Sequence, residues 1–311
     1  MKHNVAITAV LIGMFLITQL IGLVVIDAYS PKNVTVIENG VQKNITISKP
    51  IPYGMEPPPM KPQASLVSVL IGILIATLLF FFLTKIKARF MILAWFTLVV
   101  YISLAIALNA LLGKISLPLQ YDVIALVIAV PLTFLKIFRR NLLAHNFTEL
   151  LIYPGIASIF VPILSVWATI ILLFAISIYD IYAVWHSKFM VKLAKYQIQK
   201  LKVFTGFFVP YLTKEARVAL EKMKSMKKKG SNKFKVKISL AILGGGDVAF
   251  PLIFAGVLLR ASGLLPALLV ILGATIALLG LFVFAKKGKF YPAMPFISAG
   301  CIVGYLISLL L

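Results

Sequence analysis

Acidic residues are scarce in this chain: nine Asp and Glu in 311 residues, against 31 Lys and Arg. Cysteine occurs once, at Cys301 inside an apolar run, which excludes an intrachain disulfide and leaves it as a small buried apolar side chain. His3, His145 and His186 are far apart and no HExxH or CxxC spacing occurs, so neither a structural nor a catalytic metal site is expected. Charged residues make up only 13% and are clustered. Hydrophobic residues make up 61%, more apolar surface than a soluble domain of this length can hide. What remains is a polytopic integral membrane protein. The net charge of +22 then reads as basic loops on one face of a bilayer, not as a nucleic-acid surface.

Apolar runs of roughly 20 residues match a hydrocarbon layer about 30 Å thick. Nine are predicted: Val5–Ile26, Ser65–Leu83, Phe90–Leu112, Leu119–Leu135, Phe147–Ile163, Ser165–Trp185, Ile238–Leu259, Leu264–Ala285 and Phe290–Leu311. The expected fold is all-α, with nine transmembrane helices. With the N-terminus inside, 25 of the 31 basic residues fall on the inner face, fifteen of them between His186 and Lys237. This bias supports an N-in, C-out orientation. It also divides the chain into a six-span half (1–185), a basic cytoplasmic loop (186–237) and a three-span half (238–311). The first run is too long for a signal-peptide core. The prolines between Pro50 and Pro62 predict a polyproline-like outer linker, and the sequons at Asn33 and Asn44 suit an external segment. Lys188–Phe208 interleaves apolar and basic residues, as an amphipathic helix on anionic lipid does.

Most of the acids belong to loops, and Asp122 and Glu149 fall near span ends, where a carboxylate reaches the interface. Asp180 and Asp247 lie inside apolar runs, where a charge is costly. Asp180 precedes Lys188 by eight residues and Asp247 follows Lys237 by ten, depths of roughly 12 and 15 Å for helices. The spans that carry them are antiparallel and joined by one loop, so the carboxylates can meet at one depth. Two such groups share a proton: one activates water while the other polarises a carbonyl and protonates the leaving amine. A proton or cation pathway, as in a transporter or channel, and a structural pair are the alternatives.

The flanking residues bear on that choice. Gly244-Gly245-Gly246 precedes Asp247 and Pro251 follows it, so regular helix is weakened there. Irregular backbone at membrane depth is tolerated where it lines a wet cavity; close helix packing is the other use of such glycines. Added bulk at Gly246 is expected to displace Asp247. Tyr291-Pro292-Ala293-Met294-Pro295 opens the last run. It reads either as a plain helix start or as free backbone that grips an extended peptide.

Three motifs together resemble a known family. Tyr179-Asp180 resembles the YD motif of the presenilin and signal peptide peptidase family, Gly244-Gly245-Gly246-Asp247 its GxGD motif, and Pro292-Ala293-Met294 its PAL motif. They stand in the sixth, seventh and ninth of nine predicted spans, as in that family. Val248-Ala249-Phe250-Pro251 lacks the basic residue that prepilin-peptidase-like enzymes carry after their GxGD. The resemblance implies an intramembrane aspartyl protease that cuts transmembrane or signal-peptide-like segments, with Asp180 and Asp247 as the catalytic pair. It assigns Tyr179, Gly244, Gly246, Pro292, Ala293 and Met294 to shaping the site or binding substrate. It implies no cofactor and no obligatory accessory subunit, and the short chain looks like a microbial homologue of a prokaryotic cell membrane. Met294 in place of Leu is a volume-conserving departure.

Overall fold

The structure, a computed structural model, describes residues 5–38, 41–47, 50–55, 62–115, 120–139, 141–186, 205–211, 239–285 and 291–311. In chain order it contains α1 (Val5–Ala28), β1 (Lys32–Glu38), β2 (Val41–Ile47), α2 (Pro62–Lys85), α3 (Arg89–Lys114), α4 (Tyr121–Phe138) and α5 (Leu142–Phe160). Then follow α6 (Val166–Ile181), β3 (Gly206–Tyr211), β4 (Ser239–Gly244), α7 (Gly245–Ser262), α8 (Leu264–Phe284) and α9 (Met294–Ser308). A π-helical turn, Tyr182–His186, prolongs α6. Among the described residues seven helices are long and apolar enough to cross a membrane: α1, α2, α3, α4, α6 with its π turn, α7 and α8. Large apolar side chains such as Trp95, Trp167, Phe174 and Phe284 are exposed on the outside of the bundle. The chain is a multi-pass integral membrane protein.

α1 runs through the bundle against α3, α5, α7 and α8. Its Leu11, Phe15 and Ile26 join Leu172 and Leu173 of α6 and Leu252, Phe254 and Leu258 of α7 in the main core. Small residues bring helices close where no apolar driving force separates helix from lipid. Gly155 of α5 backs onto the Ser103 carbonyl of α3, and Gly273 of α8 faces Gly300 of α9, leaving no room for a Cβ. Gly263 at φ 95° separates α7 from α8, a conformation that favours glycine. α2 keeps only Val69 and Leu83 buried among its described side chains and leans on α3 and α6.

Several expectations need correction. Before the predicted Pro50–Pro62 linker, β1 and β2 form an antiparallel hairpin that was not anticipated, with Lys32 opposite Ile47 and Glu38 opposite Val41. In sequence the two strands are separated by Asn-Gly, a strong hairpin dipeptide. The seventh span does not begin as helix: Ser239–Gly244 is a strand, paired antiparallel with β3 in the register Gly206–Gly244 to Tyr211–Ser239. The short apolar run Leu240–Leu243 fits strand or helix equally in sequence, and here pairing decided. The predicted amphipathic helix Lys188–Phe208 lies mostly outside the described residues, and its end, Gly206-Phe207-Phe208, belongs to β3. Glu149 does not reach an interface: its side chain is 0% exposed and pairs with the buried Lys136 of α4.

Candidate active site

Both intramembrane aspartates stand at helix N-termini. Asp180 occupies the last turn of α6, on the buried stripe that carries Leu173 and Ser177. Its Oδ2 accepts a hydrogen bond from the backbone N–H of Met294, 3.1 Å away. Met294 is the first residue of α9, and Pro295 in the same turn has no N–H to offer. The first amides of a helix lack intrahelical partners and carry the positive end of its dipole, so Asp180 caps α9 across the bundle. One turn away the Ser177 and Ser298 hydroxyls meet at 3.0 Å. The order 177–298 and 180–294 locks α6 and α9 antiparallel.

Asp247 lies in the first turn of α7, three residues after the N-cap Gly244, and is half-buried. Its carboxylate folds back toward the Gly244 amide, as the third-position acid of a capping box does. α6 and α7 are packed neighbours, and the Asp180 carboxylate lies within electrostatic range of Asp247. Among the described residues neither aspartate has a Lys, Arg or His partner; helix ends serve instead. Pro251 supplies no N–H to the Asp247 carbonyl one turn before it. The Val248 carbonyl, next in line, accepts from the side-chain amide of Gln19, 2.9 Å away on α1. Gln19 is fully buried, so α1 holds the helix start beside Asp247.

The three glycines differ. A Cβ on Gly244 would lie 3.0 Å from the Asp247 Oδ2, and one on Gly245 would lie 2.8 Å from the Tyr153 hydroxyl of α5. At Gly246, where bulk was expected to press on Asp247, a Cβ meets only the Phe250 ring, at 3.6 Å, on an exposed face. Pro292 and Met294 are buried and Ala293 is half-buried beside Asp180, whereas Tyr179 is 46% exposed and turned away from the buried stripe. Sequence reasoning missed Gln19, Tyr153, Ser177 and Ser298. Gln19 carried a signal, as a lone amide in an apolar span. Among the described residues no group of three or more His, Cys, Asp and Glu side chains is placed to hold a metal ion.

The sequence profile described as "Signal-peptide peptidase, presenilin aspartyl protease" matches residues 40–311. The structure is similar to two solved structures of "a presenilin family intramembrane aspartate protease". The first, in space group C222, is 20% identical, with 98% of this chain and 99% of that one covered at a TM-score of 0.63. The second, in space group P2, is 21% identical, with 96% of each chain covered at a TM-score of 0.60. At such identity the likeness speaks for the fold. None of the curated proteins matches. Fold and profile define the class, an intramembrane aspartyl protease. The chain belongs to the signal-peptide peptidase and presenilin family. Neither comparison supports the transporter reading.

Proposed function

We propose that Asp180 and Asp247 are the catalytic pair and that they hydrolyse peptide bonds inside transmembrane or signal-peptide-like segments. The observation that carries this is the capping of α9 by Asp180 through the Met294 amide, with Asp247 in electrostatic range on the adjoining helix start. One carboxylate takes a proton from water as its oxygen attacks the scissile carbonyl carbon. The other, protonated, donates to the carbonyl oxygen. When the tetrahedral intermediate collapses, the C–N bond breaks and the amine leaves with a proton from the pair.

A peptide bond inside a helix is hidden, so the substrate must unwind. Among the described residues the β3–β4 sheet has two strands, and β4 runs directly into the Asp247 helix. An extended substrate added to β4 passes the dyad, a better grip than the Tyr291–Pro295 segment expected from sequence. The basic-residue bias supports nine spans with the N-terminus inside, α5 and the 15-residue α9 joining the seven helices named above. The division at 186–237 and a prokaryotic cell membrane as the setting belong to the same reading, as does activity without accessory subunits.

The test is incubation of purified protein in detergent with single-span reporters, and mass spectrometry of the products. Cleavage within the apolar span is expected. Cuts confined to the flanking loops, or none by folded protein over several reporters, would overturn the reading.

A further inference from the structure

The buried ion pair of Lys136 and Glu149 has no part in the hydrolysis just described, yet both side chains are almost fully excluded from the surface, 2% and 0% exposed. Such a pair in a membrane bundle is expensive and marks a function or a fixed geometry. Its surroundings point to the second. His145, one turn before Glu149 on α5, places Nε2 2.8 Å from the Gly206 carbonyl of β3 and Nδ1 3.4 Å from the Lys136 ammonium. A carbonyl only accepts and an ammonium only donates. The imidazole is therefore neutral, with its proton on Nε2, and donates to the strand. The next residue, Asn146, donates from Nδ2 to the Phe208 carbonyl at 2.8 Å and accepts at Oδ1 from the Phe208 N–H at 3.0 Å. Its side-chain amide thus occupies the edge of β3 as a neighbouring strand would. The same stretch is wedged by rings: Phe208 on His145 and Phe207 edge-on to Tyr153.

β3 in turn pairs with β4, Gly206 opposite Gly244 and Phe208 opposite Ile242. The two residues of β3 that α5 holds by hydrogen bonds are therefore partners of Ile242 and Gly244, at the end of the strand that leads to Asp247. We infer that His145 and Asn146, braced by Lys136–Glu149, are positioning residues that fix the register of the β3–β4 sheet against the dyad, and so choose which substrate bond is cut. A strand advances about 3.3 Å per residue and a slip of one residue reverses its faces, so a small shift of this sheet moves the cut by whole residues.

This rests on the catalytic reading of Asp247, and the experiment separates the two. Wild-type protein, Asn146→Ala, His145→Ala and His145→Gln are compared on one single-span reporter, reading the position of every cut by mass spectrometry and the melting temperature of each variant. Both alanine variants are expected to melt close to wild type while the major product loses about half its share to cuts at neighbouring bonds, since misplacement of about 1 Å already decides productive geometry. His145→Gln, which can still donate to Gly206, is expected to restore the wild-type pattern. If an alanine variant fails to fold, Asn146→Gln makes the same test, because it keeps donor and acceptor but moves them by a methylene. An unchanged cut pattern, whatever the rate, overturns the inference while leaving the protease reading intact. Absence of cleavage by the wild type overturns the protease reading itself.

Discussion

The carboxylate of Asp180 caps the helix that Met294 begins, with 3.1 Å between Oδ2 and the amide nitrogen. This one bond explains why a YD motif and a PAL-like motif far apart in sequence belong together. The acid compensates the open end of α9, and α9 holds the acid against rotation. Asp247 does the same within its own helix start, toward Gly244. Helix ends thus compensate a charge at membrane depth where, among the described residues, no cation does.

Met294→Pro tests the cap. Proline is at home in the first helical turn, so α9 can still form, but the Met294 donor to Asp180 is gone and only the Ala293 amide is left. A bond to a charged group contributes about 1.5–3 kcal/mol, so kcat/KM on a reporter should fall about 10- to 100-fold. Met294→Leu conserves volume and amide and should stay within a few-fold of wild type. Equal activity of the proline and leucine variants would remove the cap from the account.

Gly245 and Gly246 should part company. Gly245→Ala drives a methyl into the Tyr153 hydroxyl and should destabilise the protein by about 1–3 kcal/mol, with partial relief from Tyr153→Phe in the same chain. Gly246→Ala meets only ordinary contact with Phe250 and should leave the melting temperature unchanged. Its methyl points from an exposed face of the site, so activity should fall through a raised KM. A large loss of stability in Gly246→Ala, or none in Gly245→Ala, contradicts this packing.

Gln19→Leu removes the bond to the Val248 carbonyl and nothing else polar. Buried interhelical bonds in membranes are worth about 0.6–2 kcal/mol, so a modest fall in stability is expected. The diagnostic reading is kinetic: kcat should drop with KM little changed, because Asp247 is displaced and the substrate groove is not. A KM effect alone would place Gln19 elsewhere in the account.

Lys136→Met should destabilise strongly, by about 3–5 kcal/mol, because it strands a buried Glu149 carboxylate. Lys136→Met with Glu149→Leu should recover most of that loss, a double-mutant cycle read from thermal melts. Additive losses in the double variant would mean that the two side chains act separately.

The multi-pass character was legible because it depends on composition over tens of residues, and Asp180 and Asp247 stood out through the cost of a charge in lipid. The loss of helix at Ser239–Gly244 was not. Leu240 to Leu243 is apolar throughout, and only the partner strand Gly206–Tyr211, thirty-odd residues earlier in the chain, makes it β. The burial of Glu149 was hidden for a similar reason. Its partner Lys136 sits on another helix, and a loop base 13 residues earlier looked like one more inner-face charge. The hairpin β1–β2 was legible in principle, since Asn39-Gly40 separates two runs rich in β-branched residues in the sequence.

The central claim is that Asp180 and Asp247 act as one unit, and the direct measurement is cleavage of a single-span reporter by wild-type protein, Asp180→Asn and Asp247→Asn, each shown to be folded by its melting temperature. The account predicts cleavage by the wild type and none by either variant. Cleavage that persists in Asp180→Asn or in Asp247→Asn at a rate near wild type would contradict it.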